Sequence, residues 1–228
     1  MRWLAKLPQR QRTVVECGAG HAELCRFFSG HFNLAIAIDT NPPPGAYPAL
    51  RTEPISYIKG CATNLPLPSG SVDLIVSMQA LHHFDVARHL VEAHRVLSTG
   101  GIFAALSWGA IELPQHIREA CDDFLMLAER YWEAERDWVV SGYPGLEFVG
   151  ECVNLPPAAM CKTLSVGDLS RTFQSWSAYK LGTRNCPEAF DAALEKLHKL
   201  GETKVNAAWP IKGRIFRKRQ DPPEQSGL

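Results

Sequence analysis

Several features common in other protein classes are scarce here. No run of about 18 apolar residues occurs, so no membrane-spanning helix and no membrane partner are expected. Neither sign of charge is in surplus, with 24 Lys plus Arg against 24 Asp plus Glu. A nucleic-acid partner would usually leave a basic excess, and the balance argues against one. The first residues, MRWLAKLPQRQR, carry charge without an apolar segment, so no secretory signal is expected. The seven cysteines include no C-x-x-C pair. Scattered and odd in number, they fit reduced thiols in a cytoplasmic protein better than a disulfide framework or a zinc site. No internal repeat is visible.

What is present is a chain of 228 residues, 46% hydrophobic, enough for one sizeable core. Thr13–Cys17 is a β-branched run closed by Gly18 and reads as a first strand. His21–Ser29 follows with Leu24, Phe27 and Phe28 at helical spacing, and Gly30 ends it. NLAIAID is a buried second strand ending at Asp39, and the prolines of NPPPGAYP exclude regular structure after it. Ile55–Lys59 and Val72–Met78 are the third and fourth strands. Asp85 predicts an N-cap for a helix that Gly100 and Gly101 should stop, and GIFAALSW is a fifth strand.

This alternation predicts an α/β fold: a doubly wound, mostly parallel sheet. A long helix is expected over Leu113–Arg136, a helix over Pro187–Leu200 and a strand over Lys204–Arg217. SGYPGLEF, NLPPAAM and SVGDLS alternate short runs with breakers. Strands six and seven should be antiparallel additions at the sheet edge, giving seven strands. The expected organisation is a single domain over residues 1–220, with a helical cap near residues 110–200 inside it and a disordered tail, 221–228.

In such sheets ligands bind beyond the carboxyl ends of the strands, beside the first strand. The stretch ECGAG lies there. Gly18 and Gly20 allow a sharp turn and close backbone approach. The third glycine of G-x-G-x-x-G is replaced by Glu23, which weakens a dinucleotide reading. Glu16 would also repel a pyrophosphate. An acid there suits a ligand ending in an ammonium or a sulfonium, and S-adenosylmethionine carries both. Asp39, 19 residues after Gly20, stands where a carboxylate reaches ribose hydroxyls.

In VVECGAGHAEL, CATNLPLPSGSVDLIVSMQALHHFD and RVLSTGGIFAALSW the chain resembles the class I S-adenosylmethionine-dependent methyltransferases. More narrowly it resembles the methyltransferase type 11 group that includes trans-aconitate methyltransferase-like proteins. The likeness continues through YWEAERDWV and SWSAYK. The resemblance implies that Glu16, Gly18 and Gly20, with Cys17 and Ala19 between them, line the methionine end of the cofactor. Asp39 would hold the ribose, with Thr40 beside the adenine and Ala62 and Thr63 flanking its ring. Gln79, Ala80 and Leu81 would pass under the sulfonium. His82 and His83 match a His-Trp pair of the family, with His in place of Trp at 83. Cys61 and Thr63 stand where the family often has acids, so adenine contacts would rely on backbone groups. The chain starts about a dozen residues before its first strand, where relatives carry a longer segment. Either a more open site or a late start of the reading frame is expected from that.

The expected activity is methyl transfer from S-adenosylmethionine to a small-molecule acceptor, with a carboxylate as one option. A carboxylate needs no base, whereas a phenol or amine would want one, and His82 and His83 are the candidates. Trp108 and Trp176 are candidate walls of an acceptor pocket, and Arg171 a candidate partner for an acidic substrate. No metal is expected: Asp85 and His89 are four residues apart but have no third ligand at fitting spacing. Two rival readings stand beside this one. A catalytically inactive S-adenosylmethionine-binding or interaction protein of the same fold is motivated by Thr63 and His83. A nicotinamide-dependent oxidoreductase would need a pyrophosphate close to Glu23. Oligomeric state is not legible.

Overall fold

The computed structural model describes residues 1–42 and 55–219. The proline-rich stretch falls outside them from residue 43, as does the tail 221–228. Strands β1 (Thr13–Cys17), β2 (Leu34–Asp39), β3 (Ile55–Lys59), β4 (Val72–Met78) and β5 (Leu97–Trp108) form parallel ladders β3–β2, β2–β1, β1–β4 and β4–β5. The full order is β3-β2-β1-β4-β5-β8-β6, with β6 at Glu151–Val153 and β8 at Lys204–Arg217. β1, β4 and the middle of β5 are buried almost throughout, which is why they are continuous apolar runs rather than alternating ones. The chain winds outward through β2 and β3, then returns to place β4 on the other side of β1. The crevice between β1 and β4 is therefore the switch point.

At the amino ends of these strands, the Asp73 carboxylate is almost wholly buried. It accepts hydrogen bonds from the Arg12 and Thr13 backbone amides, the Arg12 guanidinium and the Ser98 hydroxyl, at 2.8 to 3.3 Å. One saturated acid thus ties β1, β4 and β5 together.

Some boundaries differ from the sequence expectation. Helix α1 is only Glu23–Phe28, because Ala22 before it is left-handed, with φ 57°. Helix α2 (Val86–Val96) starts at the expected cap, where the Asp85 side chain accepts the Arg88 N–H. It ends before the glycine pair. Leu97 already pairs with Val72, and the next partners are Leu74 and Ile102. Gly100 and Gly101 therefore absorb a shift of register inside β5 rather than stopping the helix. The end of α2 is met instead by Lys218, whose Nζ donates to the His94 and Leu97 carbonyls.

The residues fall into two units. The first comprises Met1–Ser107, Ser141–Pro156 and the chain from Lys212, and the second Trp108–Val140 and Pro157–Ile211. The second unit thus covers most of the stretch expected as a cap, but residues 141–156 return to the first. It holds helices α3 (Gln115–Glu129), α4 (Arg136–Val140), α5 (Val166–Ser175), α6 (Ser177–Gly182) and α7 (Pro187–His198) around Ile117, Phe124, Leu169, Phe173, Phe190 and Leu197. The single long helix expected to Arg136 stops at Glu129. SVGDLS, which reads as a short run with a breaker, caps and starts α5. The Ser165 hydroxyl accepts the Asp168 N–H, and the Asp168 carboxylate accepts the Ser165 N–H, closing a capping box. Strand β7 (Ala159–Ser165) pairs antiparallel with residues 204–210 of β8, and β6 pairs antiparallel with 215–217. The expected antiparallel additions are present, and the strands number eight among the described residues rather than seven.

Candidate functional site

The loop after β1 is held by the end of β2. The Gly18 and Ala19 amides both donate to the Ile38 carbonyl, at 2.9 and 3.1 Å. The Gly20 amide donates to Asp39 Oδ2 at 2.9 Å, and the Asn41 amide to Oδ1 at 2.8 Å. The Tyr57 hydroxyl on β3 donates to the Gly20 carbonyl at 2.7 Å. Two positions need glycine for different reasons. Gly18 has φ +70°, and a Cβ there would strike Ala80 Cβ and the Phe84 ring. The loops after β1 and β4 therefore meet across the switch point. Gly20, with φ +49°, faces open space, with no atom within 4 Å of where a Cβ would stand. A ligand can come close to the backbone there.

Glu16 does a different job from the one expected of an acid open to an ammonium group. Its side chain is only 5% exposed, and Oε2 accepts the Cys25 N–H at 2.8 Å. Burial pushes its carboxyl up to about 7, with the Cys25 and Leu24 amides pulling the other way. The carboxylate thus occupies the amino end of α1. In a dinucleotide fold that place is taken by a pyrophosphate. The Gly18, Ala19 and Gly20 amides are engaged as well, so neither they nor the Cys25 amide at the helix end are offered to a phosphate. Burial and the neighbouring Glu16 also raise the Cys17 and Cys25 thiols, so both stay protonated.

Beyond β3, the Gly60 amide donates to the Asp39 carbonyl at 3.0 Å, so the next loop begins beside Asp39. Ala62 is buried, Thr63 half-buried, and the Cys61 thiol lies 3.0 Å from the Thr63 hydroxyl. Thr40 is exposed. Beyond β4, Gln79 is exposed and left-handed at φ 55°, and its amide donates to the Leu106 carbonyl. A non-glycine residue in that conformation is a local strain. Leu81, His82 and His83 form a single 3-10 turn. Leu81 is buried, His82 half-buried and His83 exposed, with the two imidazoles 3.9 Å apart between centroids. The first unit thus gathers Gly18, Gly20, Asp39 and Ala80 around the crevice.

Of the residues expected to meet an acceptor, Trp108, half-buried, ends β5. Trp176 packs in the second unit against Phe173, Phe124 and Trp132, at 4.8 to 6.0 Å between rings. Arg136 stacks 4.7 Å over Trp132. Arg171 is exposed and donates to Asp168 at 2.6 Å, the acid of the capping box, so its charge is already engaged. Neither Tyr57 nor the role of His89 stands out in the sequence. His89, Glu92 and Arg95 are spaced by three, a signal for one helix face, but their partners are backbone groups of a distant loop.

Comparison with known proteins agrees with this geometry. The family model described as a methyltransferase domain (methyltransferase type 11) matches residues 15–105. A methyltransferase-named protein of Dictyostelium discoideum is 24% identical over 215 residues, covering 89% of this chain and 81% of that protein. A malonyl-[acyl-carrier protein] O-methyltransferase of Dechloromonas aromatica is 36% identical over 96 residues, but these are 41% of this chain and only 34% of that enzyme. Among solved structures, a protein named as a type II methyltransferase from Anaeromyxobacter dehalogenans superposes with a TM-score of 0.85 at 26% identity. That match covers 96% of this chain and 94% of that one. The sheet order, the glycine loop at the switch point and these similarities together support a class I S-adenosylmethionine-dependent methyltransferase.

Proposed function

We propose that the chain binds S-adenosylmethionine at the carboxyl ends of β1, β2 and β3 and methylates a small organic acceptor, with a carboxylate as the favoured class. One observation carries the cofactor half. The loop at the switch point is open at Gly20 but closed to phosphate, because Glu16 fills the helix end. That combination suits a nucleoside ligand without a pyrophosphate and disfavours a nicotinamide cofactor. Gly18 and Gly20 would lie along the methionine end. Each Asp39 oxygen already accepts one amide and keeps a second lone pair for a ribose hydroxyl. Ala62 and Thr63 would flank the base, with Thr40 at its edge. Gln79, Ala80 and Leu81 would form the floor of the reacting end. Cys17 and Ala19 act through the backbone. Glu16 acts at one remove, securing the junction of loop and helix.

The bound cofactor supplies a methyl group activated on a sulfonium. The protein's part is to hold an acceptor in line and keep water out. An ionised carboxylate needs no base. The relative named for O-methylation of malonyl-acyl carrier protein and the likeness to trans-aconitate methyltransferase-like proteins support that class. His82 and His83 would serve as bases only for a phenol or amine. Trp108 and Trp176 remain acceptor contacts under this reading, and Arg171 would have to leave Asp168 to become one. The test is transfer of tritium from methyl-labelled S-adenosylmethionine into a metabolite extract. Label is expected in esters that alkali releases, and label no higher than with the Asp39→Ala variant rejects the transfer.

A further inference from the structure

His89, Glu92 and Arg95 form one row along α2, and all three reach the loop between β3 and β4. His89 Nδ1 lies 2.9 Å from the Ala62 carbonyl oxygen. A carbonyl only accepts, so Nδ1 carries the proton and Nε2 does not. Glu92 Oε2 accepts the Leu65 N–H at 2.9 Å. Arg95, itself held by Glu92 at 2.8 Å, donates to the Leu65 and Leu67 carbonyls at 3.0 and 2.9 Å. Between residues 60 and 71 the chain has no regular structure beyond a bridge of Cys61 to Asn64. Side chains of α2 therefore satisfy backbone groups that a strand or helix would otherwise pair.

The three contacts differ in kind. Glu92 and Arg95 hold the middle of the loop from partly exposed positions. His89 holds its beginning and is fully buried, with the Phe84 and Phe103 rings 4.9 and 5.7 Å from its own. Its Nε2 is buried and has no hydrogen-bond partner among the described residues. A leucine would fill the same cage without an unmet acceptor, so what the imidazole adds is the bond to Ala62. Burial, the largest influence, lowers the ring's pKa and keeps it neutral, as that bond requires. The Ala62 carbonyl stands two residues after Gly60, whose amide is fixed to Asp39. At the same place the side chains of Cys61 and Thr63 turn toward each other, which leaves recognition of a ligand's base to the backbone.

We propose that His89 is a positioning residue for cofactor recognition. By fixing the Ala62 carbonyl it sets the backbone of Ala62 and Thr63, and through that backbone the selectivity for the adenine base. The inference rests on the reading of Ala62 and Thr63 as the flank of the base.

The test is calorimetric titration of the full chain with S-adenosylhomocysteine and with S-inosylhomocysteine, in which a carbonyl replaces the 6-amino group and N1 carries a proton. Wild-type protein should prefer the adenosyl compound. His89→Leu should bind it about tenfold more weakly and lose most of the preference. His89→Asn, whose amide can donate from the place of Nδ1, should restore affinity and preference, and His89→Gln, whose amide lies further out, should not. A general loosening of the fold would weaken both ligands and leave their ratio unchanged. An unchanged ratio in His89→Leu overturns the proposal, as does a wild-type protein without preference. If His89→Leu does not fold, as judged by circular dichroism, the comparison of Asn with Gln decides, and equal ratios for those two overturn it. A wild-type protein that binds neither compound rejects the cofactor reading itself, and the inference falls with it.

Discussion

The Cys25 N–H donates to Glu16 Oε2 across 2.8 Å, and this bond places the acid of the glycine loop beneath α1 rather than in the crevice. Burial raises its carboxyl from 4.5 to about 7. The native state thus keeps a proton that the unfolded chain has already released between those values. This contribution to stability is complete below about pH 4.5 and is lost as pH rises through about 7. Melting temperatures of wild type should fall, relative to Glu16→Gln, across that interval. Parallel curves for the two proteins would show that Glu16 does not titrate there.

Asp39 fixes Gly20 and faces the proposed ribose site. Asp39→Ala should weaken S-adenosylhomocysteine binding about tenfold or more, with a smaller effect on stability because its bonds are to loop amides, one exposed and one part-buried. Asp39→Asn keeps one carbonyl acceptor and should fall between. Calorimetry together with thermal melting separates the two effects.

Gly18 and Gly20 should respond differently to alanine. Gly18→Ala meets both a positive φ and a collision with Ala80, and should cost about 2–4 kcal/mol. Gly20→Ala meets only the positive φ and should cost about 1 kcal/mol. Urea unfolding of the two variants measures the difference, and equal losses would mean that the loops after β1 and β4 are not in contact.

Asp73 is structural. Asp73→Ala removes the acceptor shared by β1 and β5 and should cost about 2–4 kcal/mol, read by urea unfolding. Cofactor affinity of the folded fraction should not change, because Asp73 lies at the amino ends of the strands and the candidate site at the carboxyl ends.

The sequence made the sheet legible and the side chains much less so. β1 and β4 have the bounds that were expected, because buried parallel strands are dense apolar runs with turn residues at each end, and β3, a largely unburied edge strand, has its expected bounds as well. Asp85 was legible as a cap for the same local reason. The glycine pair at 100 and 101 misled, since a helix stop and a strand irregularity use the same residue. The capping box of Ser165 and Asp168 went unread, and helices α5 and α6 with it, because glycine and serine near their starts resemble breakers. Glu16 and His89 mark the limit. Residue type showed an acid beside the loop and an imidazole on a helix, and only three-dimensional packing shows that each is turned onto a backbone group.

The most direct test of the central claim is parallel titration of the wild-type protein with S-adenosylhomocysteine and NADH. Saturable binding of S-adenosylhomocysteine at one site, with no heat from NADH, is the predicted result. Binding of NADH, or silence with S-adenosylhomocysteine, would contradict a crevice that accepts a nucleoside and turns phosphate away.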